Sequence, residues 1–179
     1  VCTGCHVCSK NCAHGAISFP EKKAVIDHGK CVGCGRCLGA CNFDAVYNEN
    51  SSAVKELNIK MAEYTKAVVS GRPSFHISLV IDVSPYCDCH PENDVPILPD
   101  VRMFASFDPV ALDQACADAC NAQQPMRGSI LDEHIHEEGF CDHHDHFTNT
   151  TPESEWETCL AHAQAIGLGN REYELIEVK

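Results

Sequence analysis

The chain has 179 residues, enough for one ordinary domain or for a small cofactor-dependent module beside a modest second one. Its 13 Lys plus Arg against 26 Asp plus Glu give a formal net charge of -13, which excludes nucleic acid and anionic membrane as natural partners. No apolar run approaches the length of a membrane span and nothing reads as a signal peptide, so no membrane insertion is expected.

The chain opens on one cysteine pattern written twice. Cys2, Cys5, Cys8 and Cys12 give C-x2-C-x2-C-x3-C, and Cys31, Cys34, Cys37 and Cys41 give it again. Laying Cys2 on Cys31 also lays Gly4 on Gly33, Ala16 on Ala45 and Ile17 on Val46, the mark of an internal duplication. Thiolates separated by two residues along a tight loop can hold three corners of a cubane, and the small Thr3-Gly4 and Val32-Gly33 linkers keep side chains off the inorganic sulfides. The fourth cysteine of each run is carried away from its own three and is free to ligate the other cluster. Two [4Fe-4S] clusters are therefore expected, one on Cys2, Cys5, Cys8 and Cys41, the other on Cys31, Cys34, Cys37 and Cys12. A disulfide framework has no need of the same triple spacing twice, and zinc fits one C-x2-C pair better than four evenly spaced thiols.

Between the motifs, Ala16 to Phe19 and Ala24 to Ile26 read as a small hairpin with a charged turn at Glu21, Lys22 and Lys23. After Val46 the period changes: Val54, Leu57, Met61, Tyr64 and Val68 fall on one helical face, predicting a core-packed helix of about five turns with Ser52 as its cap and Gly71 then Pro73 closing it. Ser74 to Val83 becomes wholly apolar through Leu79, Val80 and Ile81, the pattern of a buried strand. It runs into a loop carrying Cys87, Cys89 and His90. A second strand is expected at Val101 to Ser106, and Asp108-Pro109 reads as a cap and first-position proline opening a helix to about Asn121. From Pro125 to Thr150 periodicity is lost, so a loop is expected there, crowded with His134, His136, His143, His144, His146 and Cys141. Thr151-Pro152 is expected to cap a last helix buried through Trp156, Leu160, Ala163 and Ile166, before an alternating strand from Tyr173 to Val178.

The doubled cysteine run resembles the bacterial two-cluster [4Fe-4S] ferredoxins over about a quarter of the chain. That family usually has Pro after the fourth cysteine, where Ala13 and Asn42 stand here. A second resemblance is carried by D-x-S-P-x-C-D-C-H-P from Asp82, by F-A-S-F-D-P-V-A-L-D-Q-A and by the closing I-G-L-G-N-R-E-Y-E-L-I-E-V. These look like the carboxyl half of a family of uncharacterised iron-sulfur centre proteins. The resemblance implies a two-cluster ferredoxin segment inside a larger α/β domain, with an upstream part of the same polypeptide completing the sheet. The chain's first cluster cysteine at its second position agrees with such an upstream segment.

The fold class expected is thus α/β (α+β): a ferredoxin-like two-[4Fe-4S] module over residues 1–50, followed over 51–179 by a small α/β domain with the Cys-x-Cys and His-rich loops. Cys87 and Cys89 are candidates for an additional metal, completed by His90, Cys141 or the histidines from His134 to His146; packed thiols without metal are the alternative. Cys116 and Cys120 share a helical face and read as core, as does Cys159. The expected function is electron transfer by a low-potential ferredoxin-type carrier, or by an electron-input domain of a redox enzyme, in a reducing, anaerobic cytoplasm. The acidity of the chain calls for a redox partner protein with a basic docking face. Two other classes remain: an iron-sulfur redox enzyme with its substrate or metal at Cys87 and Cys89, and an accessory protein for assembling or activating a metalloenzyme. No Ser-His-Asp set, phosphate loop or dinucleotide fingerprint can be placed.

Overall fold

A computed structural model of the chain describes residues 2–47, 53–86, 93 and 95–178. It is an α+β structure that divides into two compact units, Val1–Ser51 and Ser52–Lys179.

The first unit repeats its backbone as its sequence repeats. Helix α1 (Val7–Lys10) and helix α2 (Arg36–Gly39) occupy equivalent positions in the two cysteine runs. Each is entered through a left-handed residue, His6 at φ 62° and Gly35 at φ 73°. Gly4 and Gly33 share φ near 70°, at 70° and 71°, and Gly15 and Asp44 pair in the same region. The duplication is therefore conformational, since left-handed backbone recurs at three equivalent positions. Between the helices, β1 (Ile17–Ser18) pairs antiparallel with β2 (Val25–Ile26), Ile17 opposite Ile26, which is the expected hairpin.

In the second unit, α3 (Ala53–Val69) ends before Gly71 at φ 71°. Strand β3 (His76–Val80) pairs antiparallel with β4 (Arg102–Ser106), Leu79 opposite Met103. Helix α4 (Pro109–Asn121) follows, its first turn held by Asp108, which accepts hydrogen bonds from the Val110 and Ala111 amides at 2.8 and 3.1 Å. It packs on one face of the β3–β4 ribbon and closes a core of Val80, Ile97, Leu98, Phe104, Leu112, Cys120 and Leu131. Leu98 and Leu131 are fully buried, each contributing about 1.5–3 kcal/mol by removal from water. Helices α5 (Ile130–Ile135) and α6 (His146–Thr150) pack together. Helix α7 (Trp156–Ala165) lies against α3 and α4 around Ala62, Val110, Leu160 and Ala163. Among the described residues no helix is long and apolar enough to cross a membrane.

Five expectations are corrected. The apolar stripe of α3 does not face a core: Leu57, Met61, Tyr64 and Val68 are exposed, and the covered side is Asn58, Ile59, Ala62, Lys66 and Val69. Small Ala62 permits the close approach of α7, and the Lys66 ammonium donates to the Ile166 carbonyl at that helix's end. β3 buries only Val80; Leu79 and Ile81 stay exposed because α4 covers a single face of a two-stranded ribbon. The expected loop from Pro125 to Thr150 contains α5 and α6, nucleated by capping from Ser129 and Asp145 in segments too short to show a period. Helix α7 begins at Trp156 and not after Thr151-Pro152, where Ser154 turns back to the Thr151 carbonyl. The closing Tyr173 to Val178 strand does not form. It runs beside β4, residues of both lining one open groove, and makes no ladder. Ser52, expected to cap α3, lies outside the described residues.

Candidate functional site

The eight cysteines of the doubled motif sort themselves by space and not by sequence. One pocket is lined by Cys2, Cys5, Cys8 and Cys41, with Phe19, Ala24, Phe43 and Val46 among its walls. A second pocket is lined by Cys12, Cys31, Cys34 and Cys37, with Ile17, Ile26 and Arg36. Each therefore takes three cysteines from one run and the fourth from the other. Contact between α1 and α2 makes this exchange, because each short helix carries the chain from the third cysteine of its run toward the fourth, at its partner's pocket.

Backbone amides point at the sulfurs. The Ala24 amide donates to Cys2 Sγ at 3.3 Å, and the Ala16 and Ala45 amides donate to Cys12 and Cys41 Sγ, both at 3.4 Å. These donors favour the thiolate. The Ala24 and Gly4 amides hold Cys2 below the usual thiol range, those of Ala16 and His14 do so for Cys12, and those of Phe43 and Ala45 for Cys41. Burial pushes Cys8 the other way. Sequence reasoning missed the amide donors and the aromatic walls. The superposition of Ala16 on Ala45 was the available signal for the donors, since both follow a fourth cysteine by four positions.

Among the described residues no three His, Cys, Asp or Glu side chains are grouped to hold a single metal ion, and four thiols line each of the two pockets.

The other candidates separate from this site. Cys87, Cys89 and His90 lie outside the described residues. Cys141 is exposed. The histidines are engaged locally: His134 donates to the Asn149 carbonyl at 3.0 Å, His136 to the Asp132 carbonyl at 2.7 Å and His146 to the Gln123 carbonyl at 2.9 Å. His144 pairs with Asp142 at 3.1 Å. Burial pushes the Cys120 thiol up to about 11 and raises Cys116 and Cys159, so all three stay protonated and pack as small apolar groups.

Over 45 residues the chain is 44% identical to a subunit of the ion-translocating oxidoreductase complex of Methanosarcina acetivorans, a stretch that is 25% of this chain and 17% of that protein. The chain thus spans about a sixth of the length of the curated relative it matches. No solved structure matches it. The family described as Domain of unknown function (DUF362) matches over residues 2–118, from the first cysteine of the doubled motif into α4. Since that match takes in well over half of the sequence, the chain belongs to the DUF362 family.

Proposed function

We propose that this chain is an iron-sulfur electron-transfer protein in which residues 1–50 hold two [4Fe-4S] clusters and residues 51–179 form an attached α/β domain. One cluster takes Cys2, Cys5, Cys8 and Cys41, the other Cys31, Cys34, Cys37 and Cys12. The single observation that carries this reading is the exchange of fourth cysteines between the two pockets, which gives each a complete set of four thiols. When bound, each cluster supplies a site that accepts and returns one electron at a time. The chain's own residues favour and orient the thiolates: the amides of Ala16, Ala24 and Ala45 stabilise negative charge on sulfur, and Phe19, Phe43, Ile17 and Ile26 limit water.

Similarity to a component of an oxidoreductase complex supports a role as a low-potential carrier or electron-input domain that works against a partner protein, in a reducing, anaerobic cytoplasm. The partner's basic docking face would meet the acidic residues, 22 of which lie in 52–179 and 4 in 1–51.

The test is crossed ligation. Wild-type chain should carry about eight irons. Cys12→Ser should damage the cluster held by Cys31, Cys34 and Cys37, and Cys41→Ser the one held by Cys2, Cys5 and Cys8, read by cluster-resolved electron paramagnetic resonance. If Cys12→Ser perturbed the Cys2, Cys5 and Cys8 cluster and left the other intact, the assignment would be wrong.

A further inference from the structure

Helix α3 has two apolar faces, and the core uses one of them. Ala62 packs against α7 from the covered side, whereas Val54, Leu57, Met61, Tyr64 and Val68 are exposed, Tyr64 at 71% and Val68 at 61%. The exposed set is spaced 3, 4, 3 and 4 residues apart, which are the a and d positions of a heptad repeat. So narrow a seam suits pairing with one other helix, where a helix lying on a domain core shows a broader stripe. The positions flanking the seam carry little that would select a foreign helix. They are Asn58 and Thr65 on one side and Lys60 and Ala67 on the other, and Glu63 of the same helix accepts from the Lys60 ammonium at 2.7 Å. Charge marks this helix out as well. The second unit holds 8 Lys plus Arg and 22 Asp plus Glu, of which α3 carries Lys55, Lys60 and Lys66 against only Glu56 and Glu63. Two acidic copies can therefore approach along α3 with the least repulsion.

We infer that α3 is a self-association surface: the seam of Val54, Leu57, Met61, Tyr64 and Val68 packs against the same seam of a second copy of this chain, about a two-fold axis. An isologous contact needs a surface that complements itself, and an uncharged apolar seam does so. The helix has 17 residues, about 25 Å of length, over which the five seam side chains of each copy interdigitate. These side chains leave roughly 500 Å² exposed on each copy, so pairing hides about 1,000 Å² from the seam alone, the size at which a contact becomes specific, before the flanking residues add theirs. Because the rest of the unit is acidic, screening tightens this contact as salt rises, the opposite of association with a basic partner.

Sedimentation velocity of the full chain tests this, with the protein kept reduced and anaerobic so that no thiol crosslinks two copies. Wild-type chain should form a two-copy species at about 10–100 µM, and more of it at about 0.15 M salt than at about 0.01 M. Met61→Glu and Met61→Lys should each weaken association by about thirtyfold or more, since each sets two like charges in an apolar seam. An equimolar mixture of the two variants should regain the two-copy species, because Met61 is the central seam position and opposite charges meet there in either helix direction. Leu79→Lys, on the exposed outer face of the β3–β4 ribbon, should leave association as in the wild type. Helical circular dichroism should be unchanged in all three variants, whose substitutions lie at exposed positions. A wild-type chain that stays monomeric, a Met61 mixture that stays monomeric, or a dimer dissolved by Leu79→Lys and kept by Met61→Glu overturns the inference. Iron content of the same samples reports on the two-cluster reading separately, so either can fail alone.

Discussion

Gly4 and Gly33 occupy equivalent places in the duplication with nearly the same left-handed backbone, at φ 70° and 71°, yet only one is hemmed in. A Cβ on Gly4 would collide with the Lys22 carbonyl oxygen, and one on Gly33 would meet nothing within 4 Å. Gly33→Ala should therefore cost only the left-handed strain of about 1–2 kcal/mol. Gly4→Ala should cost clearly more and displace the hairpin from Cys2, lowering iron content at the first cluster; equal losses from both variants would show that the clash is relieved without consequence. Asp145 is a second residue with concentrated work. Its carboxylate accepts from the Phe147 and Thr148 amides, Thr148 Oγ1, Asn121 Nδ2 and Trp156 Nε1. Burial by itself raises its pKa, and the bonds from Thr148, Trp156 and Asn121 outweigh this and leave it lowered. A folded pKa below the unfolded value of about 3.9 means stability that is full above that pH and is lost as pH falls through the folded value. Asp145→Asn should cost about 1–2 kcal/mol at neutral pH and flatten the acid limb below about pH 4. Unfolding followed by the fluorescence of the single Trp, at position 156, checks it: identical acid limbs in both proteins would remove Asp145 from the account.

At the scale of elements, what the sequence made legible depended on how local the cause was. The hairpin and α4 are written in adjacent residues, Glu21 to Lys23 for the turn and Asp108-Pro109 for the cap, and both stand where expected. The repeated spacing marked out two groups of cysteines, and the fourth of each run lines the pocket of the other run. The buried face of α3 was not legible. Its sequence offers one large apolar stripe and one small-residue side, and the neighbour α7 selects the latter through Ala62. The final segment likewise has strand-like alternation without a paired neighbour, and its fate is decided by long-range anchors: Tyr173 Oη donates to Asp118 at 2.8 Å, and the Asn170 amide to Asp108 Oδ2 at 2.8 Å. Asp108 thus ties the start of α4 to the end of the chain, which neither segment reveals by itself. Gly169 packs so closely on it that an added Cβ would collide with the Asp108 carboxylate. Gly169→Ala should force these apart and destabilise the second unit by about 1–3 kcal/mol, measured by urea unfolding. Protection of the Asn170 amide from hydrogen exchange should fall with it, and unchanged protection would mean that the turn absorbs the methyl group.

Over the whole molecule, the net charge of -13 conceals an uneven distribution. Residues 1–51 hold 5 Lys plus Arg and 4 Asp plus Glu, whereas residues 52–179 hold 8 and 22. Two bound clusters would each add roughly two negative charges to the first unit, leaving it only mildly anionic. The far field that would steer the proposed basic partner therefore originates mainly in the second unit. Screening tests this, because the Debye length shrinks from about 30 Å at 0.01 M salt to about 8 Å at 0.15 M. Association with a basic one-electron haem protein should slow by about tenfold across that range. Replacing the exposed Glu137, Glu138 and Glu153 together with Gln should lower the low-salt rate a few-fold and flatten the slope, while leaving the high-salt rate and the cluster spectra unchanged. A flat salt dependence in the wild type would remove long-range steering from the account. A triple variant with the wild-type slope would place the steering charge elsewhere among the acidic residues.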